Sequence, residues 1–200
     1  MTADRHTVLR SMHDIGLAAW FGGSLMGAFG VNGAAAAAKD PTERVRLSSI
    51  GWAKWAPVQA AAIGVHLVGS LGMARADRGR VANQDGAVSN TVIKTVLTAA
   101  AMGTTLASGL AGAKTAKGAK DASGAPAAGA TEPGSDTPAD VAEGQAALKP
   151  LQWINPVLTS VLIVLAAQQG EQQRTAPALL TGMFGQGITG ARTALKRAAG

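Results

Sequence analysis

The sequence predicts an all-α fold: an integral membrane four-helix bundle with a disordered loop between spans three and four and a C-terminal amphipathic segment. Three observations lead there. Four windows carry no Asp, Glu, Lys or Arg, at residues 15–38, 55–74, 95–113 and 150–170. A helix rises about 1.5 Å per residue, so about 20 residues cross a hydrocarbon layer about 30 Å thick. The net charge is +6, but the cations flank these windows instead of forming a stripe interleaved with aromatics. That is the membrane pattern, and it excludes nucleic acid as a partner. Aromatic residues make up only 4% of the chain and Tyr is absent, whereas Ala and Gly dominate. Such a core must come from close backbone approach, since large buried side chains are few. The absence of Cys excludes disulfides, thiolate metal sites and thiol nucleophiles.

Span one covers about 15–38 and holds "FGGSLMGAFGVNGAAAAA". A phosphate-cradling loop needs a preceding strand and a GxxxxGK run, and neither is here. A cleavable signal would use Arg5 and Arg10 as its basic region and Ala36 to Ala38 as its cleavage site. Its apolar core would be about 7–15 residues, shorter than this window. Gly23, Gly27, Gly30 and Ala34 step by four, three and four, which puts them on one helix face, widened by Gly22 and Gly33. Small residues let helices approach closely in lipid, so this stripe is read as a packing face.

Asp40-Pro41-Thr42-Glu43 combines an Asp N-cap, a Pro at the first helical position and a Glu at the third. A helix therefore starts near Pro41 and runs amphipathically into span two, about 55–74, which follows a very short turn and forms an antiparallel hairpin with span one. Pro57 is expected to kink it. A polar connector, 75–89, leads to span three, about 92–113, which closes a three-span region over 1–113. Residues 114–136 hold no large apolar side chain to offset ordering entropy, which predicts disorder. Within 137–174, Thr137-Pro138-Ala139-Asp140 starts a short helix leading to span four, about 150–170, with a bend at Asn155-Pro156. In the tail, 175–200, apolar residues recur at helical spacing beside Arg192, Lys196 and Arg197. This reads as an amphipathic helix on the membrane surface with its cations near anionic headgroups, or else as a frayed soluble tail.

Four spans put both termini on one side. That side carries nine Lys and Arg against seven on the other, with Lys54 and Lys94 set aside as boundary residues. The bias favours cytoplasmic termini in a cell membrane. Trp52, Trp55 and Trp153 then share the outer interface as an aromatic belt.

His66 is the most informative polar residue. It lies nine residues from Arg75, or about 13 Å into the layer. Depth matching from the charged ends places Gly22 or Gly23, then Gly103, Thr104 or Thr105, and Ser160 or Val161 level with it, as a candidate polar layer led by Thr104 and Ser160. The imidazole could serve there as a haem ligand, metal ligand or proton relay. Equally, it could be a neutral histidine bonded to a neighbouring helix. His13 counts as about 13 Å shallower, which argues against bis-histidine haem, and a lone histidine is a poor zinc site. His13-Asp14 reads as a pH-sensitive edge site or a solvated boundary. Asn32, Gln59 and Asn155 read as inter-helix hydrogen-bonders. No Asp or Glu lies inside a span, which argues against a cation-coupled pump.

The runs "MHDIGLAAWFGGSLMGAFGVNGAAA" and "LIVLAAQQGEQQR" resemble small uncharacterised integral membrane proteins of high-GC bacteria, a source that the Ala/Gly/Arg bias also suggests. The resemblance covers spans one and four and carries no activity. The layout is loosely similar to DoxX-like membrane proteins in span count alone. The leading expectation is a non-enzymatic structural or accessory subunit, without metal or cofactor, in a homo-oligomer or larger membrane complex and associating through its Gly/Ala faces in the lipid bilayer. The alternatives are a small-solute or ion permease built on the His66 layer, and a membrane redox protein holding haem or quinone.

Overall fold

The structure, a computed structural model, describes residues 3–76, 87–121 and 124–172. Among these the regular elements are all helical. They are α1 (Ala3–Met26), a π-helical turn (Gly27–Val31), α2 (Asn32–Ala36), α3 (Pro41–Ala76), α4 (Ala87–Asp121) and α5 (Ala139–Gln172). The rod from α1 to α2, together with α3, α4 and α5, makes four helices long and apolar enough to cross a membrane. Their candidate spans are Thr7–Ala36, Pro41–Ala76, Asn90–Lys120 and Ala139–Gln168. The chain divides into two compact units, Met1–Ile163 and Val164–Gly200. The description below concerns the first. Of the second, only the last turns of α5 are described. The tail with Arg192, Lys196 and Arg197 lies outside the described residues, as does most of the polar connector.

The surface is apolar and the interior is rich in amides and hydroxyls. Ile15, Phe29, Leu106 and Leu110 are exposed, whereas Asn32, Gln59, His66, Gln145, Asn155 and Thr159 are buried. A chain folding in water would invert this distribution. In hydrocarbon, polar groups are costly and collect inside, where they can pair.

The hairpin of α1 and α3 forms as Asp40-Pro41 predicts. The Asp40 carboxylate accepts bonds from the Thr42 amide at 2.9 Å and the Thr42 hydroxyl at 2.7 Å, which caps α3. Those bonds hold its carboxyl below the usual carboxylate range, the Thr42 side chain contributing most. The helices touch backbone to backbone at Gly16, which lies against Ala62 and His66, and at Gly69, which lies against Leu9 and His13. A Cβ at either glycine would overlap backbone atoms, so only glycine fits.

Three expectations need correcting. First, the stripe of Gly23, Gly27, Gly30 and Ala34 is not one packing face. The Trp55 indole fills the space beside Gly23 and the Trp52 indole the space beside Gly27, while Gly30 meets its own helix's Met26 side chain. Ala34 is exposed. The wider π turn at 27–31 shifts the phase of the residues after it, which breaks the four-three-four alignment.

Second, the loop expected to be disordered is largely ordered. α4 runs on to Asp121, and residues 124–137 fold into a cap. Small residues suffice because other elements satisfy the cap's backbone. Arg44 donates to the carbonyls of Ala127 at 2.9 Å and Ala128 at 3.3 Å, and Gln145 donates to Gly129 at 2.9 Å. The Thr137 hydroxyl donates to the Pro126 carbonyl at 2.5 Å, and Ala127 pairs with Pro133 in an isolated bridge. Ala125 and Ala127 then bury against Val45, Ala119 and Val141. Gly124, with φ of 104°, makes the turn out of α4.

Third, the charge-free windows understate the helices. α1 holds Arg10 and Asp14 within its length, α4 continues past Lys114 to Asp121, and α5 runs unbroken through Pro150 and Pro156, whereas α3 starts at Pro41 as its capping sequence predicts.

Candidate functional site

The expected polar layer does not assemble. His66 is fully buried, but its neighbours are His13, Gly16 and Trp20. The His66 and His13 rings lie 4.5 Å apart between centroids, and His66 Nδ1 lies 3.2 Å from the His13 carbonyl oxygen. His13 also bonds the Asp14 carboxylate at 2.7 Å. Gly22 is exposed, with nothing near its missing Cβ, and Gly23 lies against Trp55. Thr104 donates to the Ala101 carbonyl at 2.9 Å, and the half-buried Ser160 donates to Val157 at 2.8 Å, both within their own helices. The register of α1 against α3 follows from the short turn at 37–40. Depth counted inward from Arg75 put His66 beside the wrong turns of α1. Among the described residues, no three His, Cys, Asp or Glu converge as a metal site.

The helices converge instead on a cleft of about 500 Å³. Its rim consists of small, exposed residues, Ala53, Ala56 and Ala60 on α3 and Gly109 and Ala113 on α4. Its deeper wall holds buried Ser24, Asn32, Gln59 and Asn155. The cleft therefore opens sideways between α3 and α4, and α1, α2 and α5 close its back. A missing Cβ at Gly109 or Gly112 faces nothing within 4 Å. Small residues keep the two helices apart-standing but unfilled. Among the described residues, no charged side chain lines the cleft.

Two hydrogen-bond networks frame it. Toward the cap, Asn32 Oδ1 accepts from Ser48 Oγ and Trp52 Nε1, each at 2.9 Å. Indole N–H can only donate, so this fixes the Asn32 amide with its nitrogen toward Gln152 Oε1, at 2.9 Å. Gln152 Nε2 donates to Thr131 Oγ1 at 3.1 Å, and Thr131 donates to the Glu132 carboxylate at 2.9 Å. Every bond points the same way, and the chain ties α2, α3, α5 and the cap together.

At the other end, Thr105 Oγ1 gives its proton to the Ala101 carbonyl at 2.8 Å. It must then accept from both Trp20 Nε1 at 3.2 Å and Asn155 Nδ2 at 2.8 Å. This assigns the Asn155 amide: a flipped orientation would set two acceptors face to face. Its Oδ1 is left buried with no partner among the described residues. Gln59, 8% exposed, lines the same region, and its amide makes no hydrogen bond among the described residues. Below them, Leu17, Trp20, Ala101 and Leu162 pack as an apolar floor.

Sequence reasoning singled out Asn32, Gln59 and Asn155 as polar residues within spans. It missed Trp20 and Gln152, and offered Thr105 only as one of three span-three residues level with His66. Threonine is common in such helices, and only the three-dimensional convergence marks Thr105 as a shared acceptor. Comparison with protein-family models, curated proteins and solved structures finds no match.

Proposed function

We propose that the chain is a non-enzymatic multi-pass protein of a bacterial cell membrane, with both termini cytoplasmic, that binds a small molecule in the cleft between α3 and α4. One observation carries this reading. Gln59, a buried residue, lines the cleft, and its amide makes no hydrogen bond among the described residues. Buried polar groups are nearly always paired, and the exceptions call for an explanation. A mostly apolar recess of several hundred Å³ with a few convergent polar groups is the usual form of a small-molecule site. The excess of cations on the terminus side supports the orientation.

The permease built on His66 loses its support, because that imidazole is packed against His13, Gly16 and Trp20 and does not line the cleft. The glycine stripe offered for oligomerisation is likewise used within the chain, by Trp52 and Trp55.

The test compares wild type with Gly109→Phe, which fills the cleft where a side chain meets nothing. Both proteins are purified from membranes in mild detergent, and the molecules they carry are extracted and identified by mass spectrometry. Wild type should retain a stoichiometric small molecule that Gly109→Phe lacks. Identical extracts from the two would overturn the reading.

A further inference from the structure

We infer that the cleft takes an uncharged molecule that arrives from the bilayer and carries a primary amide or lactam, a group that pairs with the Gln59 carboxamide through two hydrogen bonds. The inference rests on the cleft being a binding site and adds the chemistry of what fills it. Three observations carry it.

The first is the depth of the mouth. Ala56 and Ala60 of α3 and Leu106 and Gly109 of α4 line the cleft, and all four are exposed. They fall near the middle of the candidate spans Pro41–Ala76 and Asn90–Lys120. A molecule entering at that depth comes through hydrocarbon. The second is charge. Among the described residues, no Lys, Arg, His, Asp or Glu lines the cleft. An ionised group would sit there without a counter-ion, which is among the costliest arrangements in an apolar site.

The third is Gln59 itself. It is more than nine-tenths buried, lines the cleft, and makes no side-chain hydrogen bond among the described residues. Neither of its amide atoms is sealed, in contrast to Asn155 Oδ1, which lies beyond the reach of any occupant. The other buried amides of the lining are engaged within the protein. Asn32 and Gln152 are bonded at both amide atoms, and Asn155 Nδ2 donates to Thr105. The half-buried Ser49 hydroxyl also makes no bond, but it lies ten residues from Gln59, about 15 Å along α3. What the cleft offers at mid-depth is therefore one free carboxamide, a donor and an acceptor side by side. A primary amide or lactam presents the same two groups in reverse. The match holds for either orientation of the Gln59 amide. A lone carbonyl would leave Gln59 Oε1 without a donor.

Trp52 lines the cleft seven residues from Gln59, about 10 Å along the same helix, and serves as the reporter. The experiment uses the full chain in detergent with the exposed Trp153 changed to Phe. It is titrated with the carboxamide of bromoadamantane, a compact apolar probe whose bromine quenches tryptophan emission. The dimethylamide, which keeps the acceptor and lacks the donor, and the carboxylate anion are the matched controls. The carboxamide should quench saturably. The dimethylamide should bind about tenfold more weakly, the effect of one buried hydrogen bond. The carboxylate should quench only in the linear manner of a micelle-dissolved probe. Gln59→Leu should erase the preference for carboxamide over dimethylamide, and Gly109→Phe should abolish saturation by either. Equal binding of the two amides to wild type, or a preference that survives Gln59→Leu, would overturn the amide pairing and leave cleft binding standing. So would a carboxylate that saturates as tightly as the carboxamide, or a carboxamide that does not saturate. Saturable quenching that Gly109→Phe does not alter would overturn the cleft itself as the site.

Discussion

Changing Thr105 to Val removes one oxygen and keeps the shape, so it tests the network directly. That oxygen is the acceptor for the fully buried Trp20 indole and for Asn155. Valine leaves both donors without a partner. In water-soluble proteins each such orphan costs about 1–3 kcal/mol. In membranes, inter-helix hydrogen bonds average only about 0.6 kcal/mol, because the unfolded helices find other partners in the bilayer. Two orphans at those limits bracket a loss of about 1–6 kcal/mol, with the lower half favoured by the membrane environment. Equilibrium unfolding in mixed micelles, followed by tryptophan emission, measures the loss. Thr105→Ser restores the hydroxyl and should recover most of it. Adding Asn155→Leu to Thr105→Val removes one of the two orphans, so the double variant should lose less than the two single losses combined. If Thr105→Val proves as stable as Thr105→Ser, the hydroxyl is not the shared acceptor and the Asn155 orientation argued from it fails.

Glycine substitutions should separate by position. Leucine at Gly16 or Gly69 forces α1 and α3 apart and should cost at least about 1–3 kcal/mol or prevent folding, whereas leucine at Gly22 or Gly33 meets nothing and should leave stability unchanged in the same unfolding assay. Arg44→Met removes two bonds to the cap carbonyls, so amide hydrogen exchange across residues 124–137 should quicken while exchange in α3 below the cap stays slow. Asp40 should give a pH-dependent cap. Its carboxyl is held low in the folded chain, so its contribution is present above the ordinary Asp pKa and is lost as pH falls through the lowered folded value. Amide exchange at Thr42 should rise across that acidic interval and be insensitive to pH there in Asp40→Asn, once intrinsic exchange is subtracted.

The helices were legible because a span must exclude charge over about 20 residues. The hairpin was legible because Asp40 and Pro41 mark a helix start in local chemistry. Register was not. Charge-free windows end where charges begin, yet α1 carries Arg10 and Asp14 within its length and α4 continues past Lys114. Depth counted inward from Arg75 placed His66 beside Gly22 and Gly23. The turn at 37–40, which actually sets the register, pairs it with His13 and Gly16. The cap was missed for a related reason. Its residues are small, and the groups that order it, Arg44 and Gln145, sit on helices far away in sequence. Asn32 and Asn155 were read correctly as inter-helix hydrogen-bonders. Gln59, read the same way, makes no such bond among the described residues, and that difference points to the cleft. The cleft depends on Ala56, Ala60 and Gly109 facing one another across two helices, a relation no single-helix pattern contains.

The central claim is that the space between α3 and α4 holds a small molecule beside Gln59. An experimental structure of the protein in a lipid bilayer, purified without added ligand, tests it most directly. The account predicts non-protein density within the cleft, in contact with Gln59. An empty cleft, or one closed by direct contact of α3 with α4, would contradict it.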